Sequence, residues 1–414
     1  MNANYVETAT PSAQTQWLHN TAIFAFCANL FSTALANVGM AVFLILFIWN
    51  LFFRRFVSFN PTAFPWIVVT AVGLHFGWQV VGLTYTDVPI GIALTSLYSE
   101  RKVLYILPLI LVFVDAPEKL RLLKCFLVVS TVALLLSLAL SLAPIHSVFR
   151  YSPTSVLRSH ATQGIVFAMS VFLCGWFAMR QESGVRRALF VLLALAFTLN
   201  LSLVTNGRSG YVVFLVLTVW CFAITRGFKG VVLGAAVAAT VGVAAFMISP
   251  SVNQRMMLGV VEARNYLTDE NETSLGRRMV MLEASVEIIR RNTLIGVGTG
   301  GFPRHFSALA AQKYTGWRAK PFDDPHNQYL FVWVEHGLIG LATFVFMLFV
   351  IVRQCARGDM FGRMAAGCVL AWCATSFFSS HFRTFTEGHL IAFIVGMLMV
   401  SRAPEQPANR SNSP

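Results

Sequence analysis

Long apolar runs separated by short polar breaks recur along almost the whole chain, from Thr21 to Val400. A helix crossing a hydrocarbon layer of roughly 30 Å needs about 20 mostly apolar residues, which is the length these runs supply. The period-2 alternation of a membrane barrel is missing, so backbone polar groups must be satisfied within each segment, as in helices. The pattern predicts about twelve spans, near 18–35, 37–53, 63–82, 92–114, 119–142, 159–179, 187–205, 209–225, 230–249, 327–352, 363–380 and 387–401. The break at Ala36-Asn37 is thin, and the first two spans also read as one long helix.

One long hydrophilic stretch interrupts this pattern, at about 250–325. It opens with Arg255, Glu262, Arg264, Asp269, Glu270 and Glu272 and continues as a helix expected from Leu275 to Arg291. Thr273 or Ser274 suits its N-cap and Arg290-Arg291 its C-terminus. Arg278, Leu282, Ser285 and Ile289 fall near one face. The chain then enters Gly296-Val297-Gly298-Thr299-Gly300-Gly301-Phe302. No βαβ pattern surrounds these glycines, which excludes a dinucleotide loop. They form either an anion nest of backbone N–H groups or a tight turn returning the chain to the membrane. The expected regions are a membrane part at 1–249, the loop at 250–325, three last spans within 326–402 and a disordered tail at 403–414.

Composition agrees with an all-α polytopic membrane protein: 56% of the 414 residues are hydrophobic and 12% charged, which leaves no water-soluble surface. The first 16 residues are polar and nearly uncharged, so no cleavable signal peptide is expected. Net charge is +13, and its placement explains most of it. With the N-terminus inside, every inner connection is basic: Arg54-Arg55; Lys119, Arg121 and Lys124; Arg180, Arg186 and Arg187; Arg226 and Lys229; Arg353, Arg357 and Arg363; Arg402 and Arg410. The outer connection Leu83–Ser96 carries only Asp87. That is the positive-inside pattern, with both termini inside, and no nucleic acid is implied. Arg101, Lys102, Arg150, Arg158, Arg208 and Arg383 fall at outer helix ends, where orientation gains nothing from them. Each either snorkels to lipid phosphate or serves function. For Arg208 function is favoured, because Thr205-Asn206-Gly207-Arg208-Ser209-Gly210 is a tight turn holding a lone charge.

Seven cysteines lie in spans or on the inner side, so no disulfide framework supports the loop. CxxC, HExxH and Walker A patterns are absent, and 18 acidic residues leave little for a proton-coupled transporter. The most distinctive local pattern is Asp323-Asp324-Pro325-His326-Asn327-Gln328-Tyr329-Leu330, followed by Glu335-His336-Gly337-Leu338-Ile339-Gly340. Read as one helix, it places His326, Tyr329 or Leu330, Trp333, Gly337 and Gly340 on one face, a polar group above a small-residue seam. His326 is either an interfacial hydrogen-bonding residue or a catalytic group. Asp323-Asp324 is a thin set for a divalent metal, which wants about six oxygen ligands, and orienting His326 or an arginine is the other reading.

The HNQ with GLIG nine residues on, the helix bearing Arg278 and the GVGTGGF turn resemble the O-antigen ligase and polymerase superfamily of bacterial envelope glycan assembly. The resemblance extends over the whole chain, including the single large loop before the last three spans and the arginine after the 205–210 turn. Length and the lack of a further C-terminal domain make it most similar to the O-antigen ligases. The resemblance implies a GT-C-like glycosyltransferase of the inner membrane with a periplasmic active site. It would transfer O-polysaccharide from undecaprenyl pyrophosphate to lipid A-core, inverting the anomeric carbon, with no metal and no cofactor. A polymerase or a protein O-oligosaccharyltransferase is the alternative within the superfamily, and a transporter or lipid-binding protein the alternative outside it. His326, Arg278 and Arg208 are the catalytic candidates. Arg158, Arg277, Asp324, Asn327 and Gln328 are the candidates for substrate binding. Arginines stabilise a pyrophosphate leaving group, and an imidazole with an ordinary pKa of about 6.5 accepts a hydroxyl proton near neutral pH. His326 serves either as that base or as a pyrophosphate ligand.

Overall fold

The structure, a computed structural model, describes residues 13–53, 64–142, 155–204, 207–248, 250–268 and 270–400. Arg54, Arg55, Arg150, Thr205, Asn206, Asp269 and the 403–414 tail lie outside the described residues. Among the described residues every regular element is helical. The helices are α1 Ala13–Ala28, α2 Thr33–Phe52, α3 Trp66–Val81, α4 Ile90–Glu100, α5 Ile106–Val112, α6 Ala116–Leu142, α7 His160–Met179, α8 Gly184–Leu203, α9 Arg208–Ile248, α10 Pro250–Asn265, α11 Ser274–Arg291, α12 Phe302–Lys313, α13 Gln328–Arg357, α14 Met360–Thr375 and α15 Phe385–Leu398. Seven of the described helices are long and apolar enough to cross a membrane, and α14 and α15 are apolar but shorter. This is a polytopic membrane architecture.

The apolar runs of the sequence coincide with these helices, and the differences have local causes. The first break falls at residues 29–32, not at Ala36-Asn37. Ser32 supplies the cap, its Oγ accepting from Leu35 N at 3.3 Å, and Asn29 Nδ2 donates to Thr386 O at 2.9 Å. Ala36 and Asn37 have no such role and continue the helix. The run at 92–114 is broken into α4, a 3-10 turn at Arg101–Tyr105 and α5. The pair expected at 209–225 and 230–249 is present within α9: Gly227, with φ of 57°, breaks the helix, and the second half folds back on the first, so that a Cβ on Gly234 would stand 2.8 Å from the Val219 Cα. The polar start of the loop, not expected to be regular, forms α10.

The core is built where α7 packs along α8 and α9, α13 along α3 and α14, and α15 along α5. Small residues let the α7–α9 pair close. A Cβ on Gly210 would stand 2.7 Å from the Gly164 Cα, and one on Gly207 would collide with the His160 carbonyl. This contact fixes the start of α9, and hence the Arg208 backbone, against the start of α7. The α10–α12 segment sits on the 82–96 connection. Tyr85 Oη donates to Ile295 O at 2.6 Å, Thr299 N donates to Gly82 O at 3.2 Å, and Asp87 pairs with Arg304 at 3.4 Å and His305 at 3.3 Å. The lone acid of that connection is therefore a docking point for α12.

Candidate active site

Four helices begin at the same end of the bundle, and a basic residue stands at the start of each: Arg158 before α7, Arg208 opening α9, His326 before α13 and Arg383 before α15. Their proximity is fixed by contacts. The Gly164–Gly210 approach joins α7 to α9. Thr162 Oγ1 donates to Glu387 Oε1 at 2.5 Å, joining α7 to α15. Phe382 N donates to Gln328 Oε1 at 3.0 Å and Arg383 to Asp323 O at 2.8 Å, joining α15 to α13. A helix N-terminus is the positive pole of its dipole, where anions gain and cations lose about 0.3–1 kcal/mol. The arginines at three of these starts, Arg158, Arg208 and Arg383, favour an anion at this end of the molecule.

His326 is not on the helix expected for it. It precedes the N-cap Asn327 and, among the described residues, is the one non-glycine with a left-handed backbone, φ 52°. Such a conformation costs of order 1–3 kcal/mol and persists only where neighbours impose it. Asp324 imposes it: Oδ1 accepts from His326 N and from Ser380 Oγ, both at 2.6 Å. Asp324 thus orients His326, one of the two roles read from the sequence. Asn327 Oδ1 accepts from Tyr329 N at 3.0 Å and Leu330 N at 3.1 Å, which caps α13. Gln328 is fully buried and braces the 376–382 segment, its backbone N donating to Ser376 O at 2.9 Å. These two side chains are therefore engaged in holding the site together. The imidazole itself is 44% exposed. Burial of part of the ring pushes its pKa below the ordinary value; Asp324 raises it, and the Arg278 and Arg277 charges lower it further.

That electrostatic reach brings α11 to the site. Thr273 Oγ1 accepts from Gly276 N at 3.0 Å, so Thr273 rather than Ser274 is the cap. Arg277 and Arg278 follow within the first two turns. Arg277 is held by Glu272 at 3.0 Å and lies over the Phe322 ring; Arg278 stands one residue on, half-buried. Ser285 and Ile289, further along, are buried, whereas Leu282 is exposed. Arg158 is exposed. Two of the outward cations have internal work. Lys102 is 2% exposed, and its Nζ donates to the carbonyls of Arg383 and Thr384 at 3.1 and 3.0 Å; a lipid-phosphate role for it is replaced by one as a brace. Arg101 stacks on Tyr98 and donates to Tyr105 Oη at 3.0 Å.

The glycine run and the second half of the histidine pattern form one interlocked unit. At Gly337, φ 67°, helix α13 breaks. Without the break, the 338 and 339 N–H groups would donate to the 334 and 335 carbonyls. All four groups instead bond to the glycine turn: Val297 N to Val334 O at 2.9 Å, Gly298 N to Glu335 O at 2.8 Å, Leu338 N to Thr293 O at 2.8 Å and Ile339 N to Leu294 O at 3.3 Å. Gly296, Gly298 and Gly300 are all left-handed, with φ of 75°, 90° and 79°. The nest of backbone N–H groups exists, and the carboxyl group of Glu335 fills it. That group, 1% exposed, accepts from Gly300 N at 2.9 Å and Phe302 N at 3.3 Å at the start of α12. Of the small-residue seam expected at Gly337 and Gly340, Gly337 is the break in α13, whereas Gly340 does pack closely, a Cβ there standing 3.2 Å from the Trp78 ring of α3. Glu335 was visible in sequence as an acid inside an apolar run, and an ionisable residue there is significant by default.

A polytopic helical membrane protein with an anion-attracting end and an exposed, oriented histidine is the class these features define. Within it, residues 190–345 match the family model described as O-antigen ligase. That segment contains Arg208, Arg277, Arg278 and the whole 293–339 interlock. A protein of Haemophilus influenzae (strain ATCC 51907 / DSM 11121 / KW20 / Rd), described as uncharacterized, is 24% identical over 261 residues, 60% of this chain. The matched stretch spans 63% of that relative's length.

Proposed function

We propose that this protein is an inner-membrane glycosyltransferase that moves O-antigen polysaccharide from undecaprenyl pyrophosphate to lipid A-core at the periplasmic face. Twelve crossings with the 250–325 segment outside belong to the same reading. The observation that carries it is that the Arg277–Arg278 pair acts on His326 at the end of the bundle where α7, α9, α13 and α15 begin, with Arg208 opening α9 there, within a segment that matches the O-antigen ligase family model.

The acceptor hydroxyl attacks the anomeric carbon while the bond from that carbon to the phosphate oxygen breaks. His326 takes the hydroxyl proton, and the pyrophosphate leaves with both electrons of the broken bond and the growing negative charge. Arg208 and Arg278 stabilise that charge, with Arg277 and Arg158 binding further anionic oxygens. Attack in one step inverts the carbon. The lowered pKa keeps His326 unprotonated, and so able to act as a base, at neutral pH and somewhat below it.

The test is a reconstituted assay of purified protein with lipid-linked glycan and lipid A-core in the presence of EDTA. Wild type is expected to transfer glycan to lipid A-core, and folded His326→Ala and Arg278→Ala variants to lose transfer by a factor of 100 or more, about 2.7 kcal/mol of barrier. Longer lipid-linked chains formed without that acceptor would make the protein a polymerase. An untouched donor would reject transfer altogether.

A further inference from the structure

The end of the bundle opposite His326 holds a large cavity between α6, α7, α8, α9 and α14, with a volume of about 880 Å³. Its wall uses the later half of α7, from Met169 to Met179, and the beginning of α14, from Met360 to Cys368. The candidate active site lies at the other ends of these two helices. The space arises because α8 packs along α7 and scarcely meets α9, leaving a slot with α7 as its floor.

The wall is almost wholly apolar, with Phe126, Phe172, Trp176 and Trp220 its largest parts. Two charges line it, Arg187 near the start of α8 and Arg363 near the start of α14, and both residues are exposed. Arg187 donates to Gln181 O at 2.9 Å, which uses one of the five donors of its guanidinium. The cavity is thus apolar within and cationic at one edge. A soluble anion would leave the apolar wall uncovered, and a neutral lipid would leave the arginines unmatched.

We propose that this cavity is a binding site for an anionic glycerophospholipid, its acyl chains against the apolar wall and its phosphate between Arg187 and Arg363. The same end of the bundle carries Arg180, Arg186, Arg226 and Lys229, and such a basic rim enriches anionic lipid in the adjoining leaflet. The site is separate from the transfer reaction and does not depend on that reading.

Gly175 supplies a clean probe. It lines the cavity, and a Cβ there meets nothing within 4 Å, so Gly175→Trp or Gly175→Leu starts a side chain into open space in the cavity wall. The full chain is placed in nanodiscs of equal parts phosphatidylglycerol and phosphatidylcholine with identical tails, then released and weighed by native mass spectrometry. Wild type is expected to retain phosphatidylglycerol several-fold over phosphatidylcholine. The Arg187→Glu/Arg363→Glu double variant should lose that preference, and the Gly175 variants should lose retained lipid of both kinds while melting normally in detergent. Equal retention of the two lipids by wild type, or undiminished retention by both Gly175 variants, overturns the proposal. Lipid binding that appears only in a chain ending at Val400 would make the tail the occupant, and overturns it as well.

Discussion

At the residue scale, the informative side chain is His326, because its backbone strain, its partial burial and its neighbours all bear on one proton. Its pKa is lowered, so the neutral imidazole persists below the ordinary value of about 6.5. The acid limb of kcat/KM is therefore expected below pH 6.5. Arg277 contributes to the lowering, so Arg277→Gln should move that limb to higher pH, alongside any loss of affinity; an unmoved limb would remove His326 from the role of base. The same shift has a stability sign. The folded state binds this proton less well than the unfolded chain, so stability present above about pH 6.5 falls as pH drops through the unfolded pKa. The candidate itself stands out in the sequence, as a histidine among Asp, Asn and Gln at the edge of an apolar run. The left-handed conformation was not legible there: it depends on Ser380, far along the chain, holding Asp324 in place.

Elements were legible wherever apolar periodicity and local caps decide them. Helix α11 was expected within one residue of its start, and its cap is testable. Thr273→Ala should cost about 1 kcal/mol, read as a lower melting temperature, and should lower kcat/KM because Arg277 and Arg278 lean on that first turn. The interlock of 293–298 with 334–339 was not legible, because it replaces helical hydrogen bonds by bonds between segments about 40 residues apart. Gly337→Ala has to place a Cβ against the Leu294 carbonyl in a left-handed backbone, with an expected loss of about 1–3 kcal/mol or more. Glu335→Gln leaves the Gly300 and Phe302 donors poorly matched, at a cost of about 1–3 kcal/mol. Thermal unfolding in detergent measures both. Melting unchanged for both would mean that the turn is held by other contacts.

For the whole molecule, the distribution of charge predicts sidedness. The α12 helix docks on the 82–96 connection through Asp87, so the two must share a side. Single cysteines at Gln312 and at Ser183, in a chain whose own seven cysteines are replaced, are expected to label oppositely: Gln312 with a membrane-impermeant maleimide added outside, Ser183 only after permeabilisation. Labelling of both from one side would invalidate the topology. The basic connections expected on the inner side can be read one by one from the sequence. The gathering of helix starts at the opposite end cannot, since it requires knowing that α7 touches both α9 and α15.

The reciprocal bonding of the glycine turn with the Gly337 break also constrains how such proteins can be recombined. Each half is the other's hydrogen-bonding complement, like a plug and its socket, and Glu335 is the latch. A chimaera that takes residues 293–302 from one family member and 334–339 from another would mix two matched sets of backbone angles. Swaps in this region should move the two segments together, and parents that tolerate the paired exchange are expected to reject either half alone.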